Sequence, residues 1–480
     1  MSYEMIAILM FSSMMLMMLT GQRVFGAIGA VGAIAAMTLW GVGGSDLPFT
    51  AAMKLMKWYP LLTLPMFIFM GYILSESKIA EDLYKMFHVW MGPINGGLAI
   101  GTIGLMVLIS AMNGLSVAGM AIGATIALPE LLRRGYDKRM VTGVIQAGSS
   151  LGILVPPSVV LVLYAMIARQ PVGQLWLAGL VPGLMMATLF IIYIVVRCRL
   201  QPELGPALPE SERNVPRSEK IRLLGAGLLP IIYIVVRCRL QPELGPALPE
   251  SERNVPRSEK IRLLGAGLLP IIIFASMMVP FLNGWTSLVE SSAIGAMTAF
   301  LAAVAKGRMN KDVFEVSVRQ TLAISCMFMW IILAALCFGA VFDGLGAVRA
   351  IETLFTERLD MSPWWILIMM QLSFIVMGTF LDDTAMLVIV APLYVPLVHS
   401  LGFDLIWYGV LYTITTQIAY MTPPFGYNLF LMRAMAPPEI TLSDIYRSIG
   451  PFVLVMLVAL ALVMVFPQIA LWLPNYVYGK

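Results

Sequence analysis

Two adjacent carboxylates, Asp382 and Asp383, followed by Thr384, stand between two uncharged apolar runs, Met361 to Leu381 and Ala385 to Val398. A carboxylate inside a bilayer costs about 2.5–3.5 kcal/mol on insertion scales, so a pair of them suggests a hairpin tip in a wet cavity. Oxygen atoms at such a tip suit a hard cation. Ordinary N-capping in an exposed loop is the other reading of the same residues. A second tip occurs in "SAMNGLSVAG", where Asn113-Gly114 is a turn signal and Ser116 can cap a new helix. It interrupts an uncharged run from Gly97 to Pro129. As one straight helix that run would reach about 50 Å, against a hydrocarbon core of roughly 30 Å. Two half-length helices forming a re-entrant hairpin satisfy that length; so does one tilted helix with a polar kink.

Two further stretches break apolar spans at their centres, "ILVPPSVV" at 153–160 and "YMTPPFGYN" at 420–428. Proline lacks an N–H and fixes φ, so Pro-Pro stops a helix and frees backbone carbonyls. At membrane depth such carbonyls must be met by protein, ions or water. Half-helix N-termini at these breaks favour anions, and the carbonyls favour cations such as Na⁺. Superposing Pro156-Pro157 on Pro423-Pro424 also brings Pro129 onto Pro396, and Asn113-Gly114 onto Phe380-Leu381 beside Asp382. Hairpin, loop and proline-broken span therefore recur in one register, as an internal repeat.

The remaining chemistry is sparse. Only two histidines occur, His88 and His399, and the cysteines Cys198, Cys238, Cys326 and Cys337 have neither metal-site nor redox spacing. No nucleophile–base pair is evident, which argues against a membrane-embedded enzyme. The 480 residues are 59% hydrophobic and 12% charged, with a mean hydropathy of +0.87. A soluble domain carries about 25% charge, so this is an all-α polytopic membrane protein. Spans read as 4–20, 24–41, 59–75, 97–129, 140–168, 175–197, 262–282, 286–305, 319–342, 361–400, 405–433 and 450–473. The first apolar run follows Glu4 without a basic flank and reads as a retained span, not a cleaved signal. "FTAAMKLMKW", Phe49 to Trp58, reads as a tilted or interfacial arm. The net charge of +4 resides in short loops and does not imply nucleic acid.

Basic loops set the orientation. Arg133 to Arg139, Arg197 to Arg199 and Lys306 to Lys311 should be cytoplasmic. Counting crossings from there inverts the second half relative to the first, the arrangement typical of secondary transporters. One oddity interrupts the count: residues 191–230 recur letter for letter at 231–270. The copy creates an uncharged segment, Leu223 to Val236, that is shorter than the roughly 17–25 residues needed to cross. It is expected to stay at the cytoplasmic face and to carry no transport role.

Over nearly its whole length the chain resembles the large, DctM-like membrane subunit of tripartite ATP-independent periplasmic (TRAP) transporters. The likeness rests on "LPELLRRGYDKRMVTGVIQAGSSLGILVPPSVVLVLYAMIA", "LWLAGLVPGL", "GTFLDDTAMLVIVAPLYVPLV", "TPPFGYNLFLM" and the ending "LWLP". It implies an elevator-type fold like that of the ion transporter superfamily, with inverted repeats, two re-entrant hairpins and two Pro-Pro-broken helices. It implies uptake of an organic acid, a C4-dicarboxylate or related carboxylate, across the bacterial inner membrane. Na⁺ would be the coupling ion, with no other cofactor. The implied partners are a small four-helix membrane subunit, a periplasmic substrate-binding protein and membrane lipid. A binding-protein-independent sodium/carboxylate symporter of related fold is the nearest alternative.

By motif, Asn113, Gly114, Ser116, Ser149, Gly152 and Pro156 match one sodium site. Asp383, Thr384, Thr422, Pro423 and Gly426 match another, with substrate between them near Ser150, Ser158 and Asn428. No arginine inside a span obviously receives a carboxylate. The implied organisation is scaffold helices and arm over 1–96, a first transport half over 97–180, and a helix end with the duplicated linker over 181–270. Further scaffold follows over 271–360, the second transport half over 361–436, and a C-terminal helix over 437–480.

Overall fold

A computed structural model describes residues 2–77, 97–200, 257–353, 361–378 and 383–479, apart from positions 21, 42, 115, 117–118, 121–122, 134 and 424–425. Among the described residues there are helices and loops and no strand. The N-terminal helices are α1 (Tyr3–Leu19), α2 (Val24–Leu39), α3 (Asp46–Met56) and α4 (Thr63–Glu76). Next come α5 (Gly97–Asn113), a π-turn at Gly123–Ala127, α6 (Leu128–Arg133), α7 (Lys138–Ser150), α8 (Val159–Ala168) and α9 (Val172–Leu200). The second half holds α10 (Arg257–Leu282), α11 (Leu288–Ala305), α12 (Lys311–Gly344), α13 (Ala347–Thr353), α14 (Pro363–Gly378) and α15 (Asp383–Ser400). It closes with α16 (Leu405–Tyr420), α17 (Tyr427–Met435), α18 (Leu442–Val465) and α19 (Gln468–Tyr478).

Four described helices, α9, α11, α12 and α18, are long and apolar enough to cross a membrane. Large apolar side chains lie on the outside, among them Leu322, Trp330, Leu454 and Trp472. A water-soluble monomer seldom exposes so many large apolar side chains. The expected arm is a helix, α3, packed on α12. The duplicated linker, with Leu223 to Val236, lies outside the described residues.

The two proline-broken spans start alike. Asp137 Oδ1 accepts the Arg139 and Met140 N–H groups at 2.9 and 3.0 Å, capping α7. Asp404 Oδ1 accepts those of Ile406 and Trp407 at 2.7 and 3.0 Å, capping α16. Each cap satisfies two helix N–H groups that have no intrahelical acceptor. Each follows the same left-handed turn. Gly135 (φ +76°) precedes a Tyr136 N–H bond to the Leu131 carbonyl, and Gly402 (φ +79°) precedes a Phe403 N–H bond to that of Val398. These turns and caps occupy matching positions in the repeat register set by the prolines.

The spans run antiparallel. Gln417 Nε2 donates to the Ser150 carbonyl at 2.9 Å, and Tyr164 donates to the Leu405 carbonyl at 2.8 Å. As residue number rises along the first span, it falls along the second. Gly123 lies against α5, and α14 lies against α15. A Cβ on Gly123 would lie 2.6 Å from Met106 Cε of α5. The hydroxyls of Ser373 on α14 and Tyr394 on α15 are 2.8 Å apart.

The last span departs from its sequence reading. It begins at Leu442 and not near 450, because Thr441 and Asp444 form a reciprocal capping box there. Asp444 is also held by Lys138 at 2.7 Å and Arg139 at 3.3 Å, which ties α18 to the start of α7. α18 ends at Val465, just before Pro467, and α19 is a separate helix.

Candidate functional site

The first tip docks on the first broken span. α5 stops at Asn113, and Gly114 takes φ +64°. The Gly114 carbonyl accepts the Val159 N–H at 3.2 Å, the first residue of α8. Approach is so close that a Cβ on Gly114 would lie 2.5 Å from the Pro157 oxygen. Ser116 is buried beside this tip. The side chain of Asn113 lies outside the described residues.

The Pro-Pro loop then shows what happens to the freed carbonyls. Pro156 cannot donate to the Gly152 carbonyl, nor Pro157 to that of Ile153. The Ser158 hydroxyl takes over the second by donating to Ile153 O, while its oxygen caps α8 by accepting the Leu161 N–H at 3.2 Å. The Gly152 carbonyl has no such substitute among the described residues. Ser149 and Ser150 are fully buried and donate to the carbonyls of Gln146 and Ala147 at 2.9 and 2.8 Å. The structure thus brings Gly114, Ser149, Ser150, Gly152, Pro156 and Ser158 onto one tip-and-loop assembly.

The second assembly is described in part. Thr422 donates to the Ile418 carbonyl at 2.7 Å and accepts the Gly426 N–H at 3.2 Å through its own carbonyl. Gly426 is pressed against the end of α16: a Cβ there would lie 2.5 Å from Tyr420 O. Pro423 is exposed. Asp383 and Thr384 open α15, but their side chains lie outside the described residues, as do residues 379–382.

Several buried side-chain polar atoms on the two broken spans and on α17 have no partner among the described residues. Asn428, in the first turn of α17, is fully buried, and neither its Nδ2 nor its Oδ1 has a hydrogen-bond partner among the described residues. Buried amides are almost always paired, so a side chain with both amide atoms unpartnered among the described residues is a candidate ligand contact. Gln417 and Gln146 are also fully buried, each with an Oε1 that has no partner among the described residues. Sequence reasoning selected Asn428 but missed Gln417. The signal was available, because Gln417 falls on Ser150 in the repeat, 267 residues on.

Two Pro-Pro-broken spans that run antiparallel, a first tip docked on its break and buried polar atoms without partners among the described residues characterise an all-helical membrane protein with an internal repeat. The family model for the tripartite ATP-independent periplasmic transporter, DctM component, matches residues 11–469, and the chain belongs to that family. The family makes it a multi-pass permease subunit, not an enzyme, that works with a smaller permease subunit and a periplasmic binding protein. It is 28% identical over 422 residues to the C4-dicarboxylate TRAP transporter large permease of Pseudomonas aeruginosa, covering 87% of each chain. It is 25% identical over 418 residues to the ectoine TRAP large permease of Halomonas elongata, again covering 87% of each. In fold it is similar to the YdaH transporter of Alcanivorax borkumensis, with a TM-score of 0.62 at 14% identity, covering 96% of this chain and 98% of that one.

Proposed function

We propose that this subunit imports an organic acid, handed over by a periplasmic binding protein and driven by a sodium gradient. The carrying observation is Asn428, whose buried amide offers a donor and an acceptor with no partner among the described residues. Substrate bound there would also face Ser150 and Ser158. Sodium would be held by oxygens at the first assembly, Asn113, Gly114, Ser116, Ser149, Gly152 and Pro156. A second ion would lie at Asp383, Thr384, Thr422, Pro423 and Gly426. Hard cations prefer such oxygen ligands, and the Gly152 carbonyl, without a donor among the described residues, is one of them.

In this reading the segments at both tips are re-entrant hairpins. Residues 97–180 and 361–436 would move together as an elevator against the scaffold of 1–96 and 271–360. The inner membrane is the working location. Relatives named for C4-dicarboxylates, sialic acid, ectoine and isethionate support a substrate bearing an oxyanion.

Uptake into proteoliposomes holding this subunit and its small partner tests the proposal. Succinate, sialic acid, ectoine and isethionate would be offered, each with and without a matched binding protein. One of them should accumulate only when the binding protein and an inward sodium gradient are both present. Uptake at full rate without any binding protein would instead identify the independent symporter.

A further inference from the structure

Arg169 ends α8 in a left-handed conformation, φ +54°, the only non-glycine with positive φ among the described residues. The comparable turns at Gly135 and Gly402 use glycine, which adopts this conformation at no steric cost. An arginine there is the more strained choice, so its side chain needs a separate reason. Arg169, an exposed residue, lines a cavity of about 420 Å³. Gln170 shares that wall, Thr50 and Trp58 come from α3 and the segment after it, and Leu336 and Ala340 come from α12. No carboxylate is among the described lining residues, and none pairs with Arg169 among the described residues. A guanidinium carries five donors in a planar fork suited to carboxylate, sulfonate or phosphate.

The place of the cavity adds direction. The basic stretch Arg133 to Arg139 puts the start of α7 at the cytoplasmic face. Arg169 stands at the far end of the same broken span, hence toward the opposite side. From the Ser158 cap to Arg169 the helix rises about 15 Å. One wall of the cavity, α8, belongs to the segment assigned to transport, and the others, α3 and α12, to the scaffold.

We propose that this cavity is an entry site for the oxyanion group of a small organic acid, held by Arg169 before the acid reaches Asn428. The inference rests on the uptake reading above. Its test reads labelling and not transport, so the two can fail separately.

The full-length chain is prepared with its four native cysteines replaced and Thr50→Cys introduced at the exposed rim. Reaction rates with a sulfonate-bearing and a trimethylammonium-bearing methanethiosulfonate are compared. The sulfonate reagent should be favoured, and Arg169→Gln should lower that preference about tenfold, as the loss of one nearby positive charge requires. Arg169→Lys should keep most of it. Succinate should slow labelling with Arg169 present and not in Arg169→Gln. An unchanged reagent preference in Arg169→Gln, or no protection by succinate, would overturn the proposal. So would protection by phosphatidylglycerol nanodiscs over phosphatidylcholine ones in the absence of any succinate effect, which would assign the site to a lipid headgroup.

Discussion

Asn428→Leu is expected to abolish most uptake while leaving the fold at least as stable. The two effects have one cause. Both amide atoms of Asn428 are buried with no partner among the described residues, and each such atom costs about 1–3 kcal/mol. An apolar side chain of similar size removes that cost, so the melting temperature of the purified subunit should hold or rise. Substrate loses hydrogen bonds to a polar group, worth about 1.5–3 kcal/mol where the substrate atom is charged. That corresponds to a drop in apparent affinity of roughly ten- to hundredfold. Uptake kinetics and a melting curve on the same preparation check both halves. A variant that melts lower and still transports would make Asn428 a structural residue.

Gly114→Ala should damage the first tip more than any other single methyl group added there. The residue sits at φ +64°, where a non-glycine L-residue pays about 1–2 kcal/mol. The new Cβ would also lie 2.5 Å from the Pro157 oxygen, a backbone atom that cannot swing aside. The tip must then withdraw from the Pro-Pro loop, and the Gly114 carbonyl loses the Val159 N–H. The expected outcome is a lower melting temperature together with a sharply raised sodium requirement for uptake. Gly26→Ala, where a Cβ meets nothing within 4 Å, is the control and should change neither. Sodium dependence that is unaltered in Gly114→Ala would separate the tip from ion binding.

Much of this architecture was legible because prolines and turn residues act locally. Pro156-Pro157 and Pro423-Pro424 break helices wherever they stand, and their spacing exposed the repeat. The caps Asp137 and Asp404, with Gly135 and Gly402 before them, carry the same register and could have been read from the sequence too. The start of the last span was missed because hydropathy looks for the end of charge. The helix instead begins at its capping box, with Asp444 neutralised by Lys138 and Arg139 from more than three hundred residues earlier. The state of Asn428 was not legible at all. Asparagine after a Pro-Pro break is an ordinary residue until packing removes water and supplies no partner. Nor does local sequence reveal that Gln417 reaches the Ser150 carbonyl, a bond that exists only once the two halves cross.

The central claim, that the tips and broken spans form sodium sites, is tested most directly by melting the purified chain in sodium and in potassium at constant ionic strength. A ligand that binds only the folded state stabilises it by RT ln(1 + [L]/Kd), about 2.7 kcal/mol at a hundred times Kd. The melting temperature should climb with the logarithm of sodium concentration and stay flat in potassium. Identical curves in the two salts across the whole range would contradict it.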